Sequence, residues 1–334
     1  MTMKIILAQP RGFCAGVDRA IDIVILALQV YGAPLYVKHA IVHNAHVVRD
    51  LEKKGATFVE SIEEIPIGSR VIFSAHGSPP SDYDAARHRS IEIIDATCPL
   101  VTKVHLEVKR YVREGYTIIL VGHRGHVEMR GTMGEAPEHT YLVETIEDVH
   151  ALGFSKDTKI AVLTQTTLSV DDTATLLVEI KKVFPQAILP PAADICYATT
   201  NRQAAAKALA RQCDIVLVMG SITSSNTNRL VEVVRAIGTP AYRIDQVSEI
   251  QPEWLSAPMR VGITSGASAP ESIVQAVVDR LRSTYGATVE TLPVIEERVW
   301  FDIPKDLKDV AHDRGIDTDV LSKHTIAQDA TMKR

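Results

Sequence analysis

KIILAQPRGFCAGVDRAIDIVILAL, residues Lys4–Leu28, is the stretch that decides the fold. A short β-branched apolar run, KIILAQ, ends at Pro10 and Gly12, and an apolar repeat at helical spacing begins just after Cys14. The same strand–Cys–helix pattern returns in IEIIDATCPLVTKVHLEVKRYV (Ile91–Val112) and in AADICYATTNRQAAAKALA (Ala192–Ala210). Three scarce thiols at one point of one local pattern predict a single unit used three times. Repeats arranged about an axis bring Cys14, Cys98 and Cys196 together. Three thiolates meeting at one point form a metal or iron–sulfur site with one coordination position left for chemistry.

Working outward, short β-branched runs alternate with amphipathic helical runs, which predicts an α/β protein of small, mostly parallel sheets covered by helices. After Cys14 the strand-like runs are PLYVKHA, ATFVE, RVIFSAHG and IEIIDATC. After Cys98 they are YTIILVGHRGH, TYLVE, KIAVLTQTT and a short run near AILPPAADIC. After Cys196 they are DIVLVMGSITSSN, PAYRI and RVGITSGASAP. The third set lacks a fourth strand, which KIILAQP supplies from the N-terminus. The expected units are therefore residues 15–98, residues 99–195, and residues 1–14 with 196–285, related by a pseudo-threefold axis. A tandem pair of doubly wound domains is the alternative. Residues 286–312 read as an arm, in which Val294–Ile303 is one more ordered strand or part of the arm, and residues 313–334 as a flexible, polar tail without a catalytic role.

The 334 residues suffice for two or three domains, and 46% hydrophobic with 23% charged residues is a globular composition. A net charge of −5 gives no basic surface for nucleic acid. No apolar stretch is long enough for a bilayer span and no secretory leader precedes Lys4, so no membrane association and a cytoplasmic location are expected. Four cysteines spread this widely do not form a secreted disulfide framework. Cys213, at the start of CDIVLVM, lacks the junction pattern and reads as core.

Ligands of parallel sheets bind at the C-terminal strand ends. There the chain offers His43 in IVHN and His76 in SAHGSPP, then His126 and Glu128 in GHRGHVE, and Thr166 and Thr167 in LTQTTLS. It adds Ser224, Ser225 and Asn226 in GSITSSN, and Ser268 in TSGASAP. Histidines with hydroxyl and amide donors suit a phosphate or diphosphate through hydrogen bonds and partial positive charge. No Walker A or GxGxxG sequence points to a nucleotide. Glu128 is the one acid placed to deliver protons. Arg11, Lys103 and Arg202 read as solvated or structural, with a role as site cations the alternative.

At these residues the sequence resembles the 4-hydroxy-3-methylbut-2-enyl diphosphate reductase family. The motifs are PRGFCAGVDRA, VHN, FSAHG, DATCPLVTKVH, GTMG, TQTTLSVDD, DICYATTNRQ, SSNTNRL and TSGASAPE, over about residues 4–275. The resemblance implies three αβ domains around a central [4Fe-4S] cluster, with Cys14, Cys98 and Cys196 each on one iron and the fourth iron taking the substrate hydroxyl. It implies that His43, His76, His126, Ser224, Ser225, Asn226 and Ser268 hold the diphosphate of an allylic substrate. Glu128, relayed through Thr166, would supply protons. The implied reaction is reductive dehydroxylation to isopentenyl and dimethylallyl diphosphate, the last step of the methylerythritol phosphate route. A flavodoxin or ferredoxin is the implied electron donor. Two positions depart from the family pattern: Val127 stands where Pro is usual, which removes a rigid φ beside Glu128, and Ala40 stands where an acid is frequent.

Overall fold

The computed structural model describes residues 2–190 and 194–318. In chain order its main elements are β1 (Lys4–Gln9), α1 (Ala15–Tyr31), β2 (Leu35–Lys38), α2 (Ala45–Lys53), β3 (Ala56–Val59), β4 (Arg70–Phe73), α3 (Pro80–His88) and β5 (Glu92–Asp95). They continue with α4 (Pro99–Arg113), β6 (Thr117–Val121), α5 (Val127–Gly134), β7 (Thr140–Val143), α6 (Ile146–Ala151), β8 (Ile160–Thr164) and α7 (Val170–Val183). The last are α8 (Tyr197–Ala210), β9 (Ile215–Met219), α9 (Ser225–Ala236), β10 (Ala241–Ile244), β11 (Arg260–Ser265), α10 (Glu271–Tyr285), β12 (Thr288–Pro293) and α11 (Lys305–Asp313).

Three sheets result: β3-β2-β4-β5, β7-β6-β8 and β10-β9-β11-β1-β12. Each strand pair in them is parallel. The reason is visible in the strands. β8 (IAVLT) and β9 (IVLVM) are buried at every position, as strands must be when helices cover both faces of a sheet. The N-terminal strand joins the third sheet as expected, with Ile5 opposite Val261 of β11.

The chain divides into two compact units: Met1–Cys14 with His43–Ala45 and Cys196–Val299, and Ala15–Val42 with His46–Ile195 and Trp300–Arg334. The first holds the five-stranded sheet. Its core includes Ile5, Leu217, Ile263, Val277 and Leu281 on one side and Ile6, Val216, Leu230 and Val234 on the other. The second unit holds the other two sheets, with Phe73 central to one core and Val162 with Phe184 to another.

Three expectations are refined. Of the two readings of Val294–Ile303, the strand is placed earlier, as β12, which pairs with β1 from Lys4↔Thr288 to Gln9↔Pro293, on a sheet edge where Pro293 withholds no needed donor. Of the run before Cys196, Ile188 forms a single parallel bridge to Ala161, and residues 191–193 lie outside the described residues. Asp313, expected in the tail, closes α11, and Arg314 donates to Val30 O. Residues 319–334 of that tail lie outside the described residues.

Candidate active site

In the second unit, Cys98 is the N-cap of α4, and its N–H donates to Ala75 O at 3.0 Å, next to His76. His76 lies on the loop that leaves β4, its Nδ1 3.2 Å from Ser74 Oγ. The His76 and His126 rings are 6.3 Å apart between centroids, edge to face. What closes the two loops together is the GTMG motif. A Cβ on Gly131 would sit 3.2 Å from the Gly77 backbone, and one on Gly134 only 2.4 Å from Pro79 Cβ. Only glycine lets α5 approach the 77–79 loop this closely.

His126 caps α5, its Nδ1 accepting from Glu128 N–H at 3.2 Å. Burial, reinforced by His123 and His39, holds its pKa down to about 4. His126 is therefore neutral with its proton on Nε2, so of the hydrogen bonding and partial positive charge expected of the histidines it offers the hydrogen bond.

Glu128 is 3% exposed. Its Oε1 accepts from Thr166 N–H at 2.8 Å and its Oε2 from Thr166 Oγ1–H at 2.9 Å. Burial pushes its pKa up to about 7, against the opposing pull of both Thr166 hydrogen bonds and of His105. A carboxyl so tuned exchanges its proton near neutrality. Val127 does not disturb this: it is the first residue of α5, a position where proline is favoured but not needed. Gln165 braces the same loop, its Oε1 accepting from His123 N–H and its Nε2 donating to Thr167 Oγ1.

In the first unit, Cys14 immediately precedes α1 and Cys196 is the N-cap of α8. Cys14 N–H donates to Ala267 O at 3.3 Å. Ala267 N–H donates to Asn226 Oδ1 at 2.9 Å, Asn226 Nδ2 to Thr199 Oγ1 at 3.3 Å, and Thr199 Oγ1 lies 3.2 Å from Cys196 Sγ. One unbroken chain of contacts thus joins the two thiol-bearing loops. Ser268 Oγ donates to His43 O at 3.1 Å and lies 3.4 Å from Ser224 Oγ, while Ser225 opens α9.

Arg202, expected to be solvated or structural, is 0% exposed. Its guanidinium donates to Gly12 O (2.9 Å) and Phe13 O (3.0 Å) ahead of Cys14, to Ala198 O (3.0 Å) after Cys196, and to both Glu297 carboxylate oxygens. The sequence did carry a signal for it. Arg202 shares a helical stripe with Ala198, Ala205 and Ala206, small residues that leave room for one long side chain. Arg11 is structural, bound to Glu271 at 2.6 Å. Lys103 keeps an exposed stem and reaches Asp194 at 3.3 Å.

Cys213 packs on the apolar core beside Val216, and burial pushes its pKa up to about 11. Among the described residues, no group of three His, Cys, Asp or Glu side chains is arranged to hold a metal ion, and no helix is long and apolar enough to cross a membrane.

Residues 5–282 match the family model described as "LytB protein". The chain belongs to the LytB family. A protein named 4-hydroxy-3-methylbut-2-enyl diphosphate reductase from Methylibium petroleiphilum is 52% identical over 305 residues, covering 91% of this chain and 93% of its own. One of the same name from Bordetella pertussis is 53% identical over 304 residues, covering 91% and 94%. The solved structure of E-1-hydroxy-2-methyl-but-2-enyl-4-diphosphate reductase from Plasmodium falciparum matches with a TM-score of 0.92 and 39% identity, over 94% of this LytB chain and 100% of that one. A second solved structure, described as the terminal enzyme of the non-mevalonate pathway, matches at TM-score 0.62 and 34% identity, over 85% and 100%. The α/β fold of small parallel sheets is thus the fold of this family.

Proposed function

We propose that this chain is a 4-hydroxy-3-methylbut-2-enyl diphosphate reductase: it replaces the hydroxyl of an allylic diphosphate by hydrogen, giving isopentenyl and dimethylallyl diphosphate. Two electrons and two protons enter, the C–O bond breaks, one water leaves and one C–H bond forms at either end of the allylic unit. The observation that carries this reading is Glu128, a buried carboxyl with a pKa of about 7 gripped by Thr166. It is suited to give a proton to the leaving oxygen and, in place of bulk water, to keep the reaction centre dry.

The donor set fits a [4Fe-4S] cluster. Cys14, Cys98 and Cys196 carry reduced, half-exposed thiols, and Cys98 and Cys196 cap helix N-termini, where the aligned N–H groups favour the thiolate. Each of the three thiolates would hold one iron of the cluster. When bound, the cluster supplies electrons and, through the iron without a protein ligand, a Lewis-acid position for the substrate hydroxyl. The neutral Nε2–H of His126, with His43, His76, Ser224, Ser225, Asn226 and Ser268, holds the diphosphate. Thr166 orients the Glu128 carboxyl and passes its proton on. A small one-electron carrier such as a flavodoxin or ferredoxin supplies the electrons.

An anaerobic assay with the hydroxylated diphosphate and reduced methyl viologen tests the reading. Both isoprenoid diphosphates are the expected products. Turnover without any reductant would assign the chain to a non-redox hydro-lyase instead. Serine at Cys14, Cys98 or Cys196 is expected to lose iron and activity, and serine at Cys213 to keep both; iron loss at Cys213 would overturn the ligand set.

A further inference from the structure

Helix α4 begins at Cys98 and runs outward with a one-sided surface. Its exposed face carries Lys103, Leu106, Lys109, Arg110 and Arg113, and Glu107 is the only acid in the helix. This basic face belongs to a chain of net charge −5. Lys103 and Lys109 have carboxylate neighbours, whereas Arg110 and Arg113 make no ion pair among the described residues. Leu106 stands at the centre, 59% exposed.

Leu106 also lines two recesses, which share Asp95, Thr97 and Thr102. The larger, about 620 Å³, is lined by the cations Arg19, Lys103 and Arg110, by the acids Asp95 and Glu107, and by Pro99 and Pro304. Thr97 and Pro99 flank Cys98, so this recess reaches the residues on either side of the thiol. The smaller, about 360 Å³, reaches Lys109 and Glu135. The segment that supplies Pro304 also carries Trp300, 58% exposed. Dipole complementarity explains cations in the last turn of α4. It does not explain a 59% exposed leucine lining two recesses within that charged face, which is the anatomy of a docking surface with an apolar centre and a charged rim.

The geometry points to the α4 face as the docking site of a small acidic protein that carries one electron at a time, delivered to the cluster through the Thr97–Cys98–Pro99 backbone. This assignment rests on the reductase reading. The partner is acidic because the face it meets is the basic part of an acidic chain, so charge attraction orients the encounter there and repels elsewhere. Each docking oxidises the carrier by one electron, and two dockings supply the two electrons that the C–O cleavage consumes.

The test compares two donors on the anaerobic holoenzyme: reduced flavodoxin, a protein carrier, and reduced methyl viologen, a small molecule that needs no docking. In Leu106→Glu and in Arg110→Glu/Arg113→Glu, kcat/KM for flavodoxin is expected to fall about tenfold or more and to lose its dependence on salt. The Kd for oxidised flavodoxin, titrated without turnover, is expected to rise in step. Iron content and the viologen-driven rate are expected to match wild type. Unchanged flavodoxin kinetics and affinity would overturn the assignment. So would a wild-type dimer that Leu106→Glu dissociates, which would give the face to a second copy of this chain. Wild-type failure with viologen itself would sink the reductase reading, separately from the docking site.

Discussion

A carboxyl taken out of water holds its proton more tightly, and at Glu128 this has consequences for both turnover and stability. The unfolded carboxyl titrates near 4.5 and the folded one near 7. Between those values the folded state binds more protons than the unfolded state, so stability falls as pH rises. Below the unfolded value there is no penalty, and above about pH 7 the full cost of the buried carboxylate is present, roughly 3 kcal/mol. Glu128→Gln keeps the shape and removes the titration. Its urea-unfolding free energy is therefore expected to gain on wild type by roughly that amount between about pH 5 and about pH 8.5; parallel pH profiles would show that Glu128 does not titrate in this window. The same variant is expected to keep its iron and lose on the order of 100-fold or more in kcat, the usual contribution of a positioned acid. The wild-type rate is expected to decline above about pH 7, where the acid form is lost.

At the scale of elements, α5 and α8 are held by opposite devices. α5 meets the 77–79 loop because two glycines remove side chains from the contact. Gly134→Ala would place a methyl 2.4 Å from Pro79 Cβ, and a proline ring on a fixed φ cannot swing away. A loss of about 1–3 kcal/mol is expected in thermal or urea unfolding, with unaltered stability as the refuting result. α8 instead is tied by a charge. Arg202→Met removes the guanidinium from the Gly12, Phe13 and Ala198 carbonyls and takes the opposite charge from the Glu297 carboxylate, which keeps Asn201 Nδ2 as a donor, a loss expected to cost about 3–5 kcal/mol. Iron retained after anaerobic reconstitution is expected to drop with it, because the carbonyls it releases flank Cys14 and Cys196. Full iron content in the variant would show that the clamp does not position those loops. These two devices explain which parts of the site were legible in the sequence. The strand–Cys–helix junctions, Glu128 and the hydroxyl loops stand in local patterns that hydrophobic periodicity exposes. Arg202 was read no further than a solvated or structural side chain, because its partners Gly12 and Glu297 are distant in sequence and local pattern carries no record of them. Of the run before Cys196, only the bridge at Ile188 marks the β-character that apolar Ala187–Leu189 suggested. GTMG stood in the sequence without a role until the Gly131 and Gly134 contacts supplied one.

At the scale of the whole molecule, the segment after β12 serves each unit in its own way. In the first unit it brings Glu297 to Arg202, and Asn201 Nδ2 adds a second hydrogen bond to the same carboxylate at 3.0 Å. In the second unit it brings α11, whose Leu307 and Ala311 are buried, against α1. Arg19 of α1 donates to Asp302 O at 2.7 Å and to Thr97 O at 3.0 Å, one residue before Cys98. The sequence reading treated this stretch as one more ordered strand or an arm. Yet each contact it makes neutralises or covers a group that is costly to leave bare, a buried guanidinium in one unit and an apolar helix face in the other. A chain ending at Pro293 keeps all twelve strands and all the proposed site residues. It is expected nonetheless to lose several kcal/mol in urea unfolding and most of its bound iron. Glu297→Gln in the full chain separates the two contributions: it removes the charge opposite Arg202 while α11 stays docked, and is expected to show the iron loss with a smaller loss of stability. A truncated chain that retains wild-type stability and iron would show that β12 alone completes the fold.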